Sequence, residues 1–538
     1  MKLNKYKILF GVIVLFYCII LSQFGFENFD TGYMSSFSWR IVNGQNAYSD
    51  FIYKFPPTVI YFHAFFMKIL PDTGQFFMFR VLSYLFFALQ VFFTVSGFDT
   101  IYNLNEYKIN KWAIMSFCYV VSIHNFIACP WPTTDGLLFF SIAFWLFAKN
   151  TKQSLGYFFA IAFFSVLSAL SKQSFYLVPL FFLVWTFVKY NLKKAFLFLV
   201  LIILMFTTFF IWVYDYLSLD NFIKQTTGET TLFQLFYTGI HNYIYIPISV
   251  FFVLIFGITV FVLTYTRFFK LKAYTLLPCL KWISLVLLIA AIIVFFTQEI
   301  KIGSRIAFDA CIVAFFYVFL YKKKSIDFMF PILILLAIAW STSISLGYPF
   351  PILFATGIIL SFVILIKDEL TIQPKYYLWI CLPLSIVAFA YNIRPYRETN
   401  IFELQYSLEP VSPKLKFIKT NKDNFEKHME LKSLISKYGE NYIVAPSLPL
   451  ANYLFNTQSK LPGDWIINTE INRQFSLFIK LASDEKNYIF LEKSFLNHEE
   501  CVGKKLNNFS SVGVYIYKNF NPIENTKYFI VYNSLKEK

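Results

Sequence analysis

The sequence predicts a polytopic α-helical membrane protein with about thirteen transmembrane helices and a small C-terminal α/β domain. The 538 residues are 57% hydrophobic and only 14% charged, with a mean hydropathy of +0.57. A water-soluble chain of this length could not bury so much apolar surface. Apolar runs near the roughly 20 residues that cross a bilayer recur up to residue 393, whereas the sequence from residue 394 onward is polar. Lipid is therefore the expected solvent for most of the chain.

The first apolar run covers residues 8–24 and follows Lys2, Lys5 and Lys7. This pattern is shared by signal peptides, but the run has no small-residue cleavage site. We therefore expect it to be the first transmembrane helix. The other predicted spans are 75–97, 110–128, 136–149, 154–171, 174–188, 194–213, 244–264, 277–297, 305–320, 327–343, 350–366 and 376–392.

The formal charge of +16 does not indicate nucleic acid, because the basic residues punctuate the apolar runs instead of clustering. With the N-terminus in the cytoplasm, the inner loops carry most of the Lys and Arg residues, as in the loop with Lys322, Lys323 and Lys324. This distribution obeys the positive-inside rule. An odd number of spans then places the C-terminal tail on the outer side.

Residues 1–393 are expected to form the transmembrane module and residues 394–538 an accessory α/β domain. In this tail, strands are predicted at 441–445, 487–491, 511–517 and 528–532, and helices at 424–438 and 471–482. The seven cysteines and five histidines show neither a disulfide framework nor the spacing of metal ligands. The sequence therefore assigns no metal site and no cofactor, and it leaves a divalent metal open.

The first outer segment, 25–57, is too polar to cross lipid and contains the acids Glu27, Asp30 and Asp50. Acids in such a segment usually belong to a solvated loop. Asp30, however, follows the first apolar run by only a few residues, at the depth of the membrane surface. The apolar stretch 57–70 is too short to span and suits a helix lying in the interface. We therefore expect 25–70 to be an outer loop with interfacial helices.

Other charged residues stand where outer loops meet the bilayer. Asp135 lies at the start of the fourth span, where a carboxylate is costly unless it faces a polar cavity or a partner. Lys172 lies among apolar residues between the fifth and sixth spans, and Lys301 and Arg305 form another basic outer turn. Snorkelling to the headgroups is the alternative for these cations. The predicted topology places all of these charged residues on the same side of the membrane, which favours a shared functional site.

The order of these motifs resembles that of the GT-C glycosyltransferases. The most similar members are bacterial proteins related to protein O-mannosyltransferases and lipid A aminoarabinose transferases. The resemblance covers about residues 8–190 and is carried by Asp30, Asn43, Gly44, Tyr48, Asp50, Phe51, Tyr53, Pro56, Pro57, Asp135, Lys172 and Gln173. The chain departs from the aminoarabinose enzymes at Tyr53-Lys54-Phe55, where they carry an acidic residue followed by Lys.

The resemblance implies a hexosyl or pentosyl transferase of the bacterial plasma membrane. Its donor would be a polyprenyl-phosphate sugar, its acceptor a hydroxyl of a glycan, lipid or protein, and inversion the usual outcome. Asp30 would be the base and Asp135 a second catalytic residue that positions the acceptor, the sugar or a metal. The substrate-binding residues would be Asp50, Tyr53, Lys54, Lys172, Gln173 and Arg305, with Lys172 and Arg305 binding the lipid phosphate.

Two other classes of membrane protein compete with this interpretation. A polysaccharide polymerase or ligase tends to rely on paired arginines in a large mid-chain outer loop, but the loop 214–243 contains no Arg. A transporter or lipid flippase favours repeated halves and charges at the bilayer midplane, and the sequence shows neither. The transferase is therefore the favoured hypothesis.

Overall fold

A computed structural model gives the structure of the protein. It describes residues 5–125, 128–227, 237, 239–241, 243, 276–297, 300–344, 350–367, 374–471, 474–484, 487–496 and 509–537. Most of these residues are helical up to residue 392, and a mixed α/β unit follows.

The apolar part of the chain is a bundle of helices. They are α1 (Lys5–Ile19), α2 (Asp30–Val42), α3 (Thr58–Ile69), α4 (Gln75–Tyr102), α5 (Lys111–Ile123), α6 (Pro132–Lys149), α7 (Leu155–Ala169), α8 (Val178–Lys189), α9 (Leu192–Tyr216), α10 (Leu219–Thr226), α11 (Leu276–Thr297), α12 (Ile300–Leu320), α13 (Ile326–Thr342), α14 (Ala355–Ile366) and α15 (Pro374–Asn392). Every predicted span overlaps one of these helices except 244–264, which lies outside the described residues.

The lengths of the helices bear on the number of spans. By length and composition, five described helical segments could cross a membrane, namely Lys5–Gln23, Gln75–Tyr102, Leu192–Tyr216, Cys279–Thr297 and Ile300–Leu320. Several other apolar helices are shorter, such as Lys111–Ile123 and Leu155–Ala169. The protein is thus a helical membrane protein, while the predicted count of thirteen spans is not confirmed.

Polar residues set the starts of several bundle helices. The side chains of Asn110, Ser154, Asn191 and Ser325 each accept a hydrogen bond from a backbone N–H in the first turn of the helix that follows. Such caps satisfy donors that have no partner within the helix. All four lie in loops that the charge pattern assigns to the inner side.

The tail contains a four-stranded sheet. Its helices are α16 (Lys422–Tyr438), α17 (Ala451–Leu454), α18 (Phe475–Ala482) and α19 (Ser511–Asn519), and its strands are β1 (Tyr406–Ser407), β2 (Lys419–Thr420), β3 (Tyr442–Ala445), β4 (Tyr488–Glu492), β5 (Phe520–Asn525) and β6 (Phe529–Glu537). The sheet order is β3-β4-β6-β5, with β3 and β4 parallel and the other pairs antiparallel. β1 and β2 form a separate antiparallel pair.

One predicted strand of the tail is wrong. Residues 511–517, rich in Val, Tyr and Ile, form α19 instead of a strand. The Ser510 hydroxyl caps this helix by accepting a hydrogen bond from the N–H of Gly513. Its buried residues, Val512, Gly513 and Ile516, follow helical spacing and pack in the same core as Phe478 of α18. Tertiary packing has overridden the local β preference, and β5 follows directly.

The first loop, which was predicted to be an outer loop, packs against the tail. Ile52 belongs to the apolar core that includes Ile443 of β3, and its N–H donates to the carbonyl of Pro462 at 2.8 Å. The Trp39 indole donates to the carbonyl of Thr457 at 2.9 Å. These contacts fix the tail against α2, and a site can therefore form between them.

Candidate functional site between the first loop and the tail

Glu27 organises the start of α2. Its carboxylate accepts hydrogen bonds from the N–H groups of Phe29, Asp30 and Thr31, at 2.8, 3.2 and 3.0 Å. These bonds satisfy N–H groups at the helix N-terminus and place negative charge at the positive end of the helix dipole. The carboxylate of Asp30 is therefore not needed as a cap, although Asp30 begins the helix.

Two residues of the tail contact the Asp30 carboxylate. The Tyr396 hydroxyl donates to Oδ2 at 3.2 Å, and Nη2 of Arg397 lies 3.5 Å from the same oxygen. Nη1 of Arg397 lies 3.2 Å from Oε1 of Glu27. Among the described residues none donates to Oδ1 of Asp30, and the side chain is 15% exposed. One carboxylate oxygen is thus held and the other is open.

Burial governs the protonation of both acids. Burial raises the pKa of Asp30 above its usual value, and the charge of Arg397 and the Tyr396 hydrogen bond partly oppose this shift. Burial and the nearby Asp30 likewise raise the pKa of Glu27, against the influence of Arg397 and the backbone N–H groups. A raised pKa makes a carboxylate a stronger proton acceptor.

Asp135 lies in the first turn of α6 and pairs with a histidine. Its Oδ2 is 2.8 Å from Nε2 of His63 on α3, and both side chains are buried. Tyr53 lies nearby: burial, and then the charge of Asp135, raise the pKa of its hydroxyl. The contact between His63 and Asp135 joins α3 of the first loop to α6 of the bundle. His63 was not predicted, because it precedes Asp135 by 72 positions and shares no motif with it.

Lys172 is a buried ammonium without a carboxylate partner among the described residues. Its Nζ donates to the Thr133 hydroxyl at 3.1 Å, and burial lowers its pKa to about 8. Buried charges in proteins are normally paired. Because its partner Thr133 lies two residues before Asp135 in the first turn of α6, Lys172 belongs to the same region of the molecule.

Gln173 and Lys54 connect this region to the tail. The Gln173 amide donates to the carbonyl of Lys54 at 2.5 Å and to that of Thr226 at 3.1 Å. The Lys54 ammonium is 3.5 Å from Glu470. Burial, and then the charge of Glu470, raise the pKa of Tyr33, which lies one turn after Asp30. Contacts therefore lead from Lys172 through the first loop to the helix of Asp30.

Two predicted site residues lie outside this network of contacts. Asp50 is exposed, and its Oδ2 accepts a hydrogen bond from the N–H of Asn46 at 2.6 Å, within the same loop. Arg305 lies on α12, where its guanidinium is 4.3 Å from the centre of the Phe350 ring. The structure does not bring either residue to Asp30.

A small polar cavity adjoins Glu27. Its volume is about 40 Å³, and since a water molecule needs about 10–15 Å³ in such a measure, it has room for a few waters. Arg80 lines it and donates to the carbonyls of Ser22 and Phe24. In the described part of the chain, no three His, Cys, Asp or Glu side chains come together as metal ligands.

These features define a class of structure: a multi-span helical membrane protein in which a polar site lies between the first loop and a globular C-terminal unit. The same fold occurs in the crystal structure of the Archaeoglobus fulgidus oligosaccharyltransferase in complex with Zn and sulfate. The two structures align with a TM-score of 0.51 and 13% sequence identity, over 98% of this chain and 73% of the archaeal one.

This likeness shows that the chain has the membrane fold of the archaeal oligosaccharyltransferase. No protein-family model matches the sequence, and neither does any curated protein. The relationship to protein O-mannosyltransferases and aminoarabinose transferases therefore stays a prediction from the motif.

Proposed function

We propose that the protein is a membrane glycosyltransferase that moves a sugar from a polyprenyl-phosphate donor to an acceptor hydroxyl on the outer face of the membrane. The observation that carries this proposal is the Asp30 carboxylate, with Oδ2 held by the tail and Oδ1 open. The GT-C-type fold supports it.

In the proposed reaction, Oδ1 of Asp30 accepts the proton of the acceptor hydroxyl. The acceptor oxygen forms a bond to the anomeric carbon as the bond from that carbon to the phosphate oxygen breaks. The electron pair of the broken bond stays on the phosphate, and the configuration at the anomeric carbon inverts. The raised pKa of Asp30 helps the proton transfer.

Lys172 is the proposed cation for the departing phosphate. It is buried and has no acid partner in the described chain, so an incoming phosphate would supply the missing counter-charge in a site of low dielectric. Arg305 was predicted to share this role, but its position on α12 beside Phe350 gives no support for it. Asp135, held by His63, would position the substrate from the same end of α6 as Thr133.

The proposal is tested on cells with and without the gene. We expect the gene deletion to remove one sugar from an envelope glycan, lipid or protein, as a fixed mass difference between the two samples. The intact gene should restore the mass, and a gene carrying Asp30→Asn should not. If the lipid-linked sugar did not accumulate in the deletion strain and no product changed mass, the proposal would be wrong.

We also propose that the N-terminus is cytoplasmic and the tail extracytoplasmic, in a bacterial plasma membrane. The support is the excess of Lys and Arg in alternate loops. Alkaline phosphatase, which folds only outside the cytoplasm, should be active when fused after Lys538 and inactive when fused after Lys324. The reverse pattern would put Asp30 in the cytoplasm and contradict the orientation.

A further inference from the structure

We propose that Arg397, a residue of the tail, is a positioning residue for the base Asp30, so that the active site is incomplete without the tail. This inference rests on the proposed function. It differs from the expectation that the tail is only an accessory domain, because two of its side chains touch the carboxylate that would take the proton.

The first argument is the number of groups that Arg397 binds. Its guanidinium bridges Glu27 and Asp30, and it lies 4.9 Å from the ring centre of Phe29 and 5.0 Å from that of Tyr396. A planar guanidinium that contacts two rings and two carboxylates loses rotational freedom, so it orients the carboxylates that it binds. An ammonium is a point charge and lacks this planar fork of donors.

The second argument is the backbone of Arg397. Its φ is +57°, a left-handed conformation that residues other than glycine seldom adopt. Such conformations persist where surrounding contacts impose them, and they concentrate at functional sites. The next residue supplies those contacts: the buried Glu398 carboxylate accepts from the N–H of Phe26 and from the side chains of Thr420 and Asn421. The strained residue is therefore anchored to the first loop.

The third argument excludes Arg397 as the cation for the departing phosphate. In an inverting displacement the acceptor and its base lie on one face of the anomeric carbon, and the leaving group departs from the other face. Arg397 lies 3.5 Å from the carboxylate of the base and is therefore on the acceptor side. Its role is to orient Asp30 and keep it ionised.

Few ionisable groups besides Arg397 lie close enough to Asp30 to affect its pKa. The ionisable side chains around it are Glu27 and Tyr33 of the first loop, Cys129 before α6, and Tyr396 and Arg397 of the tail. Burial and neighbouring carboxylates raise the pKa of Tyr33, Tyr396 and Cys129, so these groups stay neutral near pH 7. Removing Arg397 leaves two acids and, among the described residues, no cation in direct contact with Asp30, and we expect the pKa of Asp30 to rise.

The test is Arg397→Gly in the full-length protein. Glycine adopts positive φ without strain, so the tail should stay folded and the melting temperature should not fall. We expect kcat to fall about 10–100-fold from misplacement of the base, with donor affinity unchanged. The acid limb of the pH–rate profile should move to higher pH, because Asp30 must lose its proton to act. Guanidinium chloride at millimolar concentration should restore part of the rate.

Two further variants sharpen this test. Arg397→Lys keeps the charge but not the planar fork, so the acid limb should stay near that of the wild type while kcat remains low. Arg394→Gln is the matched control, because the Arg394 guanidinium donates only to the backbone carbonyl of Glu398 among the described contacts. We expect it to retain wild-type kcat and pH profile.

Three outcomes would overturn the inference. They are an unchanged kcat, a loss of donor affinity that parallels the loss of rate, and a loss of rate that follows a lower melting temperature without rescue by guanidinium. Asp30→Asn separates this inference from the proposed function. If that variant is inactive and Arg397→Gly is normal, only the role of Arg397 is wrong; if both are normal, the proposed base is wrong.

Discussion

Asp30→Asn is expected to lower turnover by about 10²–10⁴-fold, the usual cost of losing general-base catalysis. The amide keeps the size of the side chain, and its oxygen can still accept from Tyr396 and Arg397, but it cannot take a proton from the acceptor. Donor affinity should change little, because the donor phosphate is proposed to bind Lys172. Turnover and donor affinity are measured on the same purified variant.

Two comparisons make this result specific. Lys172→Ala should weaken donor binding as well as turnover, since it removes the buried cation that the phosphate would pair with. Asp220→Asn is the matched control: its ion pair with Lys224 is exposed, and such pairs contribute little. Near-normal turnover in Asp30→Asn would remove Asp30 from the catalytic role.

Asp464→Ala is expected to release the tail from the first loop. Asp464 Oδ2 is 2.7 Å from Nε of Arg40 on α2, and both side chains are buried. Breaking a buried ion pair by removing one partner typically costs about 3–5 kcal/mol, because the remaining charge has lost its counter-ion. We expect faster cleavage of the tail by trypsin and a lower melting temperature. Activity should fall together with the melting temperature, whereas in Arg397→Gly activity should fall without a change in melting temperature.

The double variant Arg40→Met with Asp464→Leu is the informative control. Replacing both partners of a buried pair by apolar residues of similar volume is often neutral or stabilising. Protease resistance should therefore return towards the wild-type level. If Asp464→Ala alone were as resistant as the wild type, the ion pair would not hold the tail. The exposed pair of Lys437 and Glu524 offers a surface comparison, since Lys437→Met should leave resistance unchanged.

The sequence predicted the helices well and the contacts of the site poorly. A span is visible because its apolar run has the length of a bilayer, and the caps at Ser154 and Ser325 mark its start. The segment 511–517 was assigned wrongly because its β-branched and aromatic residues favour a strand until α18 packs against it. β5 was missed, since its Asn, Pro and Glu residues give no strand pattern.

The site contacts that the sequence did not predict join residues far apart along the chain. Asp30 was visible because it follows the first apolar run, but Tyr396 lies 366 positions further along the chain. Nothing in the local composition connects the two, and the same holds for His63 and Asp135. Asp50 matched the family motif as well as Asp30 did, yet its carboxylate caps its own loop. A motif can name such residues but cannot say which of them share a pocket.

The docking of the tail on the first loop also orders the biogenesis of the protein. Arg40 and Asp464 are 424 positions apart, so at about 5–20 residues per second α2 leaves the ribosome well before its partner is made. Until then Asp30 has neither Tyr396 nor Arg397, and Arg40 has no counter-ion. A nascent or prematurely terminated chain would thus be inserted in the membrane but inactive. The trypsin assay would detect its first loop, which the tail does not yet cover. Translation past Asp464 would therefore have to precede the proposed sugar transfer.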